Sequence, residues 1–316
     1  MKPAVITSLL QDILDRLAYF VVRIFVCVVQ ALPLELCALL AARLATICTR
    51  VLRIRRDLIE DNLRHAFPHM TADERTLVTW RMWEHLFLMI VEIVHAPRKI
   101  HDTNWRDHIT LYRTDELVRA LFDDRATIII CGHYGNFELS GYGMAILGFP
   151  SFTVARPLDN PYLDRFLNEF RAHSGQYILS KTGSAGQIES VLARGGNLAL
   201  LGDQYAGPKG CWVDFFGRPA SSHKAVALLT LGNPAQAVFC FIRRVGNRPL
   251  CHVMGTEGVL DPRAAGHLTV TEVTQWYTRL LEQTIRIAPE QYWWLHRRWR
   301  DTRAGKPKKQ SESQAA

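Results

Sequence analysis

The chain has 316 residues, of which 48% are hydrophobic and 22% charged, with a formal net charge of +8 and a pI near 9.2. That length can bury one large core, or one domain with an appendage, and the composition excludes wholesale disorder. The basic balance favours anionic partners: phospholipid surfaces, phosphorylated sugars, acidic carrier proteins or nucleic acid. Nucleic acid is the weakest of these, because the chain shows no zinc-finger spacing, no RNA-recognition aromatics and no helix-turn-helix. Its seven cysteines are scattered and never in a C-x-x-C. They read as small buried hydrophobes in a reducing compartment, not as a disulfide scaffold.

In chain order, the first feature is an apolar stretch from Ala18 to Leu44, interrupted by Arg23, Glu35 and Arg43 and split by Pro33. Its longest uncharged run, Ile24 to Leu34, is too short for a full bilayer span of about 20 residues. A basic flank follows, with Arg50, Arg53, Arg55 and Arg56. Two readings compete: a pair of helices buried in a globular core, and a helical anchor that lies in or dips into the bilayer. The anchor is preferred, because the basic cluster suits an anionic membrane surface. No signal-peptide cleavage pattern is clear.

Residues 56–66 and 71–94 read as helices separated by Pro68, the second opening on the capping box Thr71-Ala72-Asp73-Glu74. From Ala126 the pattern alternates between strand and helix. Strands are expected at 126–131, 151–155, 176–179, 197–201, 237–243 and 250–254, and helices at 137–146, 161–173, 184–194, 223–231 and 271–287. This predicts an α/β fold, a mixed sheet flanked by helices, with ligands near the carboxyl ends of strands. The domain boundaries expected are 1–55 for a membrane-associated helical segment, 56–303 for the α/β domain and 304–316 for a disordered polar tail.

The most telling segment is Ile128-Ile129-Ile130-Cys131-Gly132-His133-Tyr134-Gly135-Asn136-Phe137-Glu138. On a continuous helix His133 and Glu138 would lie roughly 140° apart. With His133 on a strand-to-helix loop and Glu138 in the first helical turn, the two can face each other. The carboxylate can then hold one ring nitrogen and leave the other as a base. A satisfied polar loop residue and a helix-end carboxylate are the plain alternative.

Four further blocks stand out. Arg156, in Val154-Ala155-Arg156-Pro157, follows a strand expected beside the one that delivers His133, and suits phosphate or a developing oxyanion. Asp203 and Gln204 follow another strand. Phe215-Phe216-Gly217-Arg218-Pro219 is an aromatic turn, and residues 289–299 interleave three tryptophans with arginines. Taken singly, each could be a salt bridge, a turn, a cap or an interfacial belt.

Taken together, this order of blocks resembles the late acyltransferases of lipid A biosynthesis, the lauroyl/myristoyl transferase family within the lysophospholipid acyltransferase superfamily. The resemblance runs from the apolar N-terminus through Arg55-Arg56, Asn62-Leu63-Arg64-His65-Ala66-Phe67-Pro68 and the later blocks to His296-Arg297-Arg298-Trp299. It implies O-acyl transfer from a thioester, acyl carrier protein or acyl-CoA, to a hydroxyl of a glycolipid or other lipid acceptor. The setting it implies is the cytoplasmic face of the inner membrane, in contact with phospholipid. His133 would be the general base and Glu138 its orienting partner; Arg156, Asp203 and Gln204 would bind substrate or an oxyanion. No metal or organic cofactor is required, since a thioester is already activated, and neither a G-x-S-x-G elbow nor an H-E-x-x-H is present. The rivals are an acyltransferase for a lysophospholipid or other lipid alcohol, and an inactive membrane scaffold of the same fold.

Overall fold

The computed structural model describes residues 3–300 apart from 174 and 182; the tail 304–316, expected to be disordered, lies outside them. Four helices come first: α1 (Pro3–Ala31), α2 (Leu34–Thr46), α3 (Arg56–Ala66) and α4 (Ala72–Lys99), with a π-helical turn at Ile47–Val51 before α3. Pro33 separates α1 from α2, as a residue that cannot continue a helix should. The capping box at Thr71 and Glu74 forms as its spacing predicts. Helix α4 outruns the expected end and carries Pro97 in its final turn.

The rest is a sheet with helices on both faces. Its strands are β1 (Ile109–Tyr112), β2 (Ala126–Cys131), β3 (Ser151–Ala155), β4 (Gln176–Ser180), β5 (Asn197–Leu201), β8 (Ala235–Arg244) and β9 (His252–Leu260). The spatial order is β1-β9-β8-β2-β5-β3-β4, parallel throughout except for the β8–β9 pair. Between them run α5 (Thr114–Leu121), α6 (Phe137–Ile146), α7 (Pro161–His173), α8 (Ala185–Ala193), α9 (Ala225–Gly232) and α10 (Val270–Ile287). A separate hairpin joins β6 (Cys211–Phe215) to β7 (Arg218–Ser222). The aromatic turn of the sequence is its tip, where Phe216 and Gly217 both have positive φ (55° and 75°), the signature of a tight hairpin turn.

Central strand β2 is covered on both faces and accordingly apolar except for Thr127, whose hydroxyl donates to the Ala120 carbonyl. Alternation sends Ile128 and Ile130 into one core, with Leu198, Phe239, Tyr277 and Leu281, and Ile129 into the other, with Leu139, Met144 and Val238. The elements absent from the sequence reading are β1, β6, β7 and the short amphipathic helix α5, which buries Leu117 and Ala120. Three of the four residues of β1 are exposed, and β6 and β7 pair only with each other.

Helix α1 accounts for Arg23, the first charge that interrupts the apolar run. At 100° per residue, Asp12, Arg16, Tyr19 and Arg23 fall within about 60° of one another on α1. That stripe packs on α7: the Tyr162 hydroxyl donates to Asp12 at 2.6 Å, Asn160 Nδ2 donates to the Asp15 carbonyl at 2.9 Å, and the Arg23 guanidinium sits 5.0 Å from the Phe166 ring. The opposite face, including Leu14, Leu17, Phe20, Val21 and Ile24, is more than half exposed. Among the described residues, no helix is long and apolar enough to cross a membrane.

Candidate active site

Strands β2 and β5 are adjacent and in register, Cys131 opposite Leu201, so the loops that leave their carboxyl ends emerge side by side. One carries His133 and the other Asp203. The His133 Nδ1 lies 2.7 Å from Asp203 Oδ1, and the His133 backbone N–H donates to Asp203 Oδ2 at 2.9 Å. One carboxylate thus fixes both the ring and the main chain of the same histidine. The other ring nitrogen, Nε2, faces the Gln204 side-chain amide at 3.3 Å. With Nδ1 carrying the proton toward Asp203, Nε2 presents a lone pair to the Gln204 N–H, the tautomer a general base requires.

This departs from the sequence expectation at Glu138. The Glu138 carboxylate does not hold the His133 ring; it accepts from Arg171 Nε at 3.0 Å and Arg171 Nη2 at 2.5 Å. Asp203, expected to meet the acceptor, is 3% exposed and occupies the orienting position instead. The reason is topological. Helix α6 carries Glu138 away from the loop toward α7, which supplies Arg171, while the β5 loop comes up directly beside His133.

Electrostatics match the geometry. Burial works to neutralise Asp203, but the His133 charge, hydrogen bonds from its ring and backbone, and the nearby Arg298 bring its pKa down to about 2. For His133, burial lowers the pKa, yet the charge and hydrogen bond of Asp203 outweigh it, Glu138 adds to them through its charge, and the net shift is upward. The ring also packs edge-on against Phe137 and Trp293, at centroid distances of 5.0 and 5.2 Å.

The loop itself is clamped by the C-terminal segment. Tyr134 bridges Tyr292, the Trp293 N–H donates to the His133 carbonyl at 3.1 Å, and the Gly135 N–H donates to the Gln291 carbonyl at 2.9 Å. Gly135 has φ +59°, and a Cβ there would fall 1.6 Å from the Ile242 carbonyl oxygen, so only glycine fits. Beneath lies a buried polar cluster. Arg244 donates from Nε and Nη2 to Glu92 at 2.5 and 2.6 Å, and its Nη1 lies 2.8 Å from His85 Nδ1. Asn136 Nδ2 donates to Glu92 at 2.9 Å, and the His85 ring meets the Gly135 carbonyl at 3.2 Å. The tryptophan and arginine block of the sequence is therefore mostly scaffold: Trp294 is 1% exposed, and the 2% exposed Arg298 donates to the Ser221 carbonyl and the Ser222 hydroxyl at 2.6 Å.

Arg156 is placed apart from His133. Strand β5 lies between β2 and β3, so the expected adjacency of the two strands does not occur. The Arg156 side chain is 77% exposed and pairs with Asp159 at 2.8 Å, three residues on. Arg156→Ala should leave the unfolding midpoint unchanged, because a solvated pair of this kind contributes little. Its kinetics carry the information: a raised KM for acceptor alone places Arg156 on the acceptor, and unchanged constants remove it from the reaction. Trp293 and Arg298 lay inside the 289–299 block that the sequence singled out, without a role of their own; Arg171 was missed, because it had no distinguishing local signal. An arginine that faces a carboxylate from another element has the same spacing as one that faces water.

Comparison with known proteins identifies the family. A family model described as bacterial lipid A biosynthesis acyltransferase matches residues 8–301. The chain is 24% identical over 281 residues to a lipid A biosynthesis palmitoleoyltransferase of Escherichia coli (strain K12), covering 87% of this chain and 88% of that one. It is 26% identical over 290 residues to the lipid A biosynthesis lauroyltransferase of the same organism, covering 88% and 90%. A lipid A biosynthesis acyltransferase of Shigella flexneri is 24% identical over 281 residues. With the match spanning helices, sheet and both loops of the His133 site, the chain belongs to the bacterial lipid A biosynthesis acyltransferase family and is an acyltransferase.

Proposed function

We propose that this protein moves a fatty acyl chain from a thioester, acyl carrier protein in preference to acyl-CoA, to a hydroxyl of a lipid A precursor, with His133 as general base. The observation that carries this reading is the His133 ring, held on one nitrogen by Asp203 and open on the other to a single displaceable amide. The acceptor hydroxyl takes the place of the Gln204 amide and passes its proton to Nε2. Its oxygen attacks the thioester carbonyl and a C–O bond forms. The tetrahedral intermediate collapses, the C–S bond breaks, and the imidazolium returns the proton to the leaving thiolate. Asp203 keeps the tautomer and stabilises the imidazolium, a contribution of general-base type worth about 10²–10⁴-fold. Glu138 and Arg171 border an adjoining cavity of about 110 Å³, lined mainly by apolar residues including Ile129, Phe137, Met144 and Leu200. It suits the first carbons of an acyl chain.

The test uses the full-length protein with a lipid A precursor and each thioester in turn. Thiol release matched by an acyl mass increment on the acceptor supports the reading. Release only with a lysophospholipid moves the activity to the rival acceptor class, and no release favours the scaffold.

The same proposal places the protein on the cytoplasmic face of the inner membrane, resting on the outward apolar face of α1 and the exposed Leu36, Leu39, Leu40 and Leu44 of α2. Large apolar side chains exposed along two successive helices suit a lipid surface. Leu17→Glu with Ile24→Glu alters two exposed residues on that face, so the fold should persist while sedimentation with anionic vesicles is lost. Unchanged sedimentation would assign the face to a protein partner instead.

A further inference from the structure

Between the start of α3 and the C-terminal segment lies an open cavity of about 670 Å³ lined by Arg53, Arg55, Arg56, His296, Arg297 and Arg300, with Asp57 the one carboxylate. Among the described residues, none of these five arginines forms a salt bridge. Arg55 donates to the Leu295 carbonyl at 2.7 Å and the Arg300 guanidinium sits 5.2 Å from the Tyr205 ring, so both are held without being neutralised. The neighbouring cavity, by contrast, contains Glu60, which pairs with Arg64 and Arg75. Arg53 and Arg55 both have left-handed backbone, φ 49° and 51°. For non-glycine residues this costs energy and persists only where surrounding structure imposes it.

The cavity is connected to the reacting nitrogen. His296 in its wall accepts from the Tyr205 N–H at 2.9 Å, and Tyr205 adjoins Gln204, whose amide meets His133 Nε2 at 3.3 Å. Immediately before Arg53 in the chain, Val51 is 71% exposed and Leu52 60% exposed. Converging guanidinium groups, each able to hold two oxygens of one anion, match a phosphate better than any other common group.

We infer that this arginine-lined cavity binds a phosphate carried by the acceptor lipid, and so holds the headgroup while its hydroxyl reaches His133. The concavity favours a lipid phosphate over the convex acidic surface of a carrier protein. The inference rests on the proposed acyl transfer and names a subsite of it.

The experiment compares a phosphorylated glycolipid acceptor with the same lipid after phosphatase treatment, both dispersed in detergent. Arg53→Gln with Arg297→Gln is the test variant and Arg248→Gln, an exposed residue between β8 and β9 that does not line the cavity, the control. Wild-type turnover reports on acyl transfer itself, while calorimetric binding of the acceptor needs no turnover and reports on the subsite alone. Loss of two charge-assisted contacts should weaken binding of the phosphorylated lipid by about tenfold or more. Binding of the dephosphorylated lipid should be equally weak to wild type and variant, and the control should match wild type. Equal weakening for both lipids would overturn the inference. So would a raised KM confined to the acyl carrier donor, which would make the cavity a carrier site. Loss of vesicle binding with acceptor binding intact would also overturn it, making the cavity a general contact for membrane headgroups.

Discussion

Substitutions at His133, Asp203 and Glu138 should all lower activity, but in ways that separate the base from its two acidic neighbours. His133→Ala should lower kcat/KM at least about a hundredfold, the lower end of what a positioned base contributes. Asp203→Asn should fall in the same range, because the ring loses both its tautomer control and its counter-charge. The pH profile gives the sign. Asp203 is a main cause of the raised His133 pKa, and burial alone would lower it. In Asp203→Asn the acid limb of kcat/KM should therefore move to lower pH while the plateau drops. Glu138→Ala should also slow turnover, since it leaves Arg171 without its carboxylate beside the reaction pocket. It should, however, preserve the downfield proton resonance of His133 Nδ1–H, which Asp203→Ala abolishes. A resonance lost in Glu138→Ala and kept in Asp203→Ala would restore Glu138 as the orienting partner.

Arg244→Met should be the most destabilising single change outside the site. It strands Glu92, which is 0% exposed, and breaking a buried pair by removing one partner costs about 3–5 kcal/mol. Glu92→Met with Arg244→Met should recover part of that loss, the recovery limited by Asn136 and His85, which both bond to the pair. Chemical denaturation monitored by circular dichroism measures both. The cluster also sets an acid sensitivity. Burial and the neighbouring Arg244 depress the His85 pKa from 6.5 to about 3, so the folded state refuses a proton that the unfolded chain accepts. Stability should therefore fall as pH drops below 6.5. Glu92 acts in the same direction. Its own burial opposes ionisation, but Arg244 and His252 hold its pKa below 4.5, so its contribution is lost as pH falls below that value. A flat stability between neutral pH and pH 4.5 would contradict this account. Because Gly135 and Asn136 hang on the same cluster, loss of order there should reach His133 as a reduced kcat.

The alternation of apolar runs and helical spacing determined which residues form β2, β3, β5, α6 and α7, with bounds that coincide with those observed. These elements carry regular apolar patterns, and such periodicity records which face turns inward. The sequence likewise determined that His133 and Asp203 sit at the carboxyl ends of strands. It did not determine strand order. Parallel strands pair through long crossovers, so nothing local says that β5, not β3, lies beside β2. That single fact makes Asp203 the partner of His133 and leaves Arg156 exposed. The interrupted apolar N-terminus shows the same division. Arg23 looks like a break in a linear reading, and only the packing of α1 on α7 shows that it shares one face with Asp12 and Arg16. Partnership between side chains is a property of distance in space, and spacing along a chain reports it only within a helix turn or across a short hairpin.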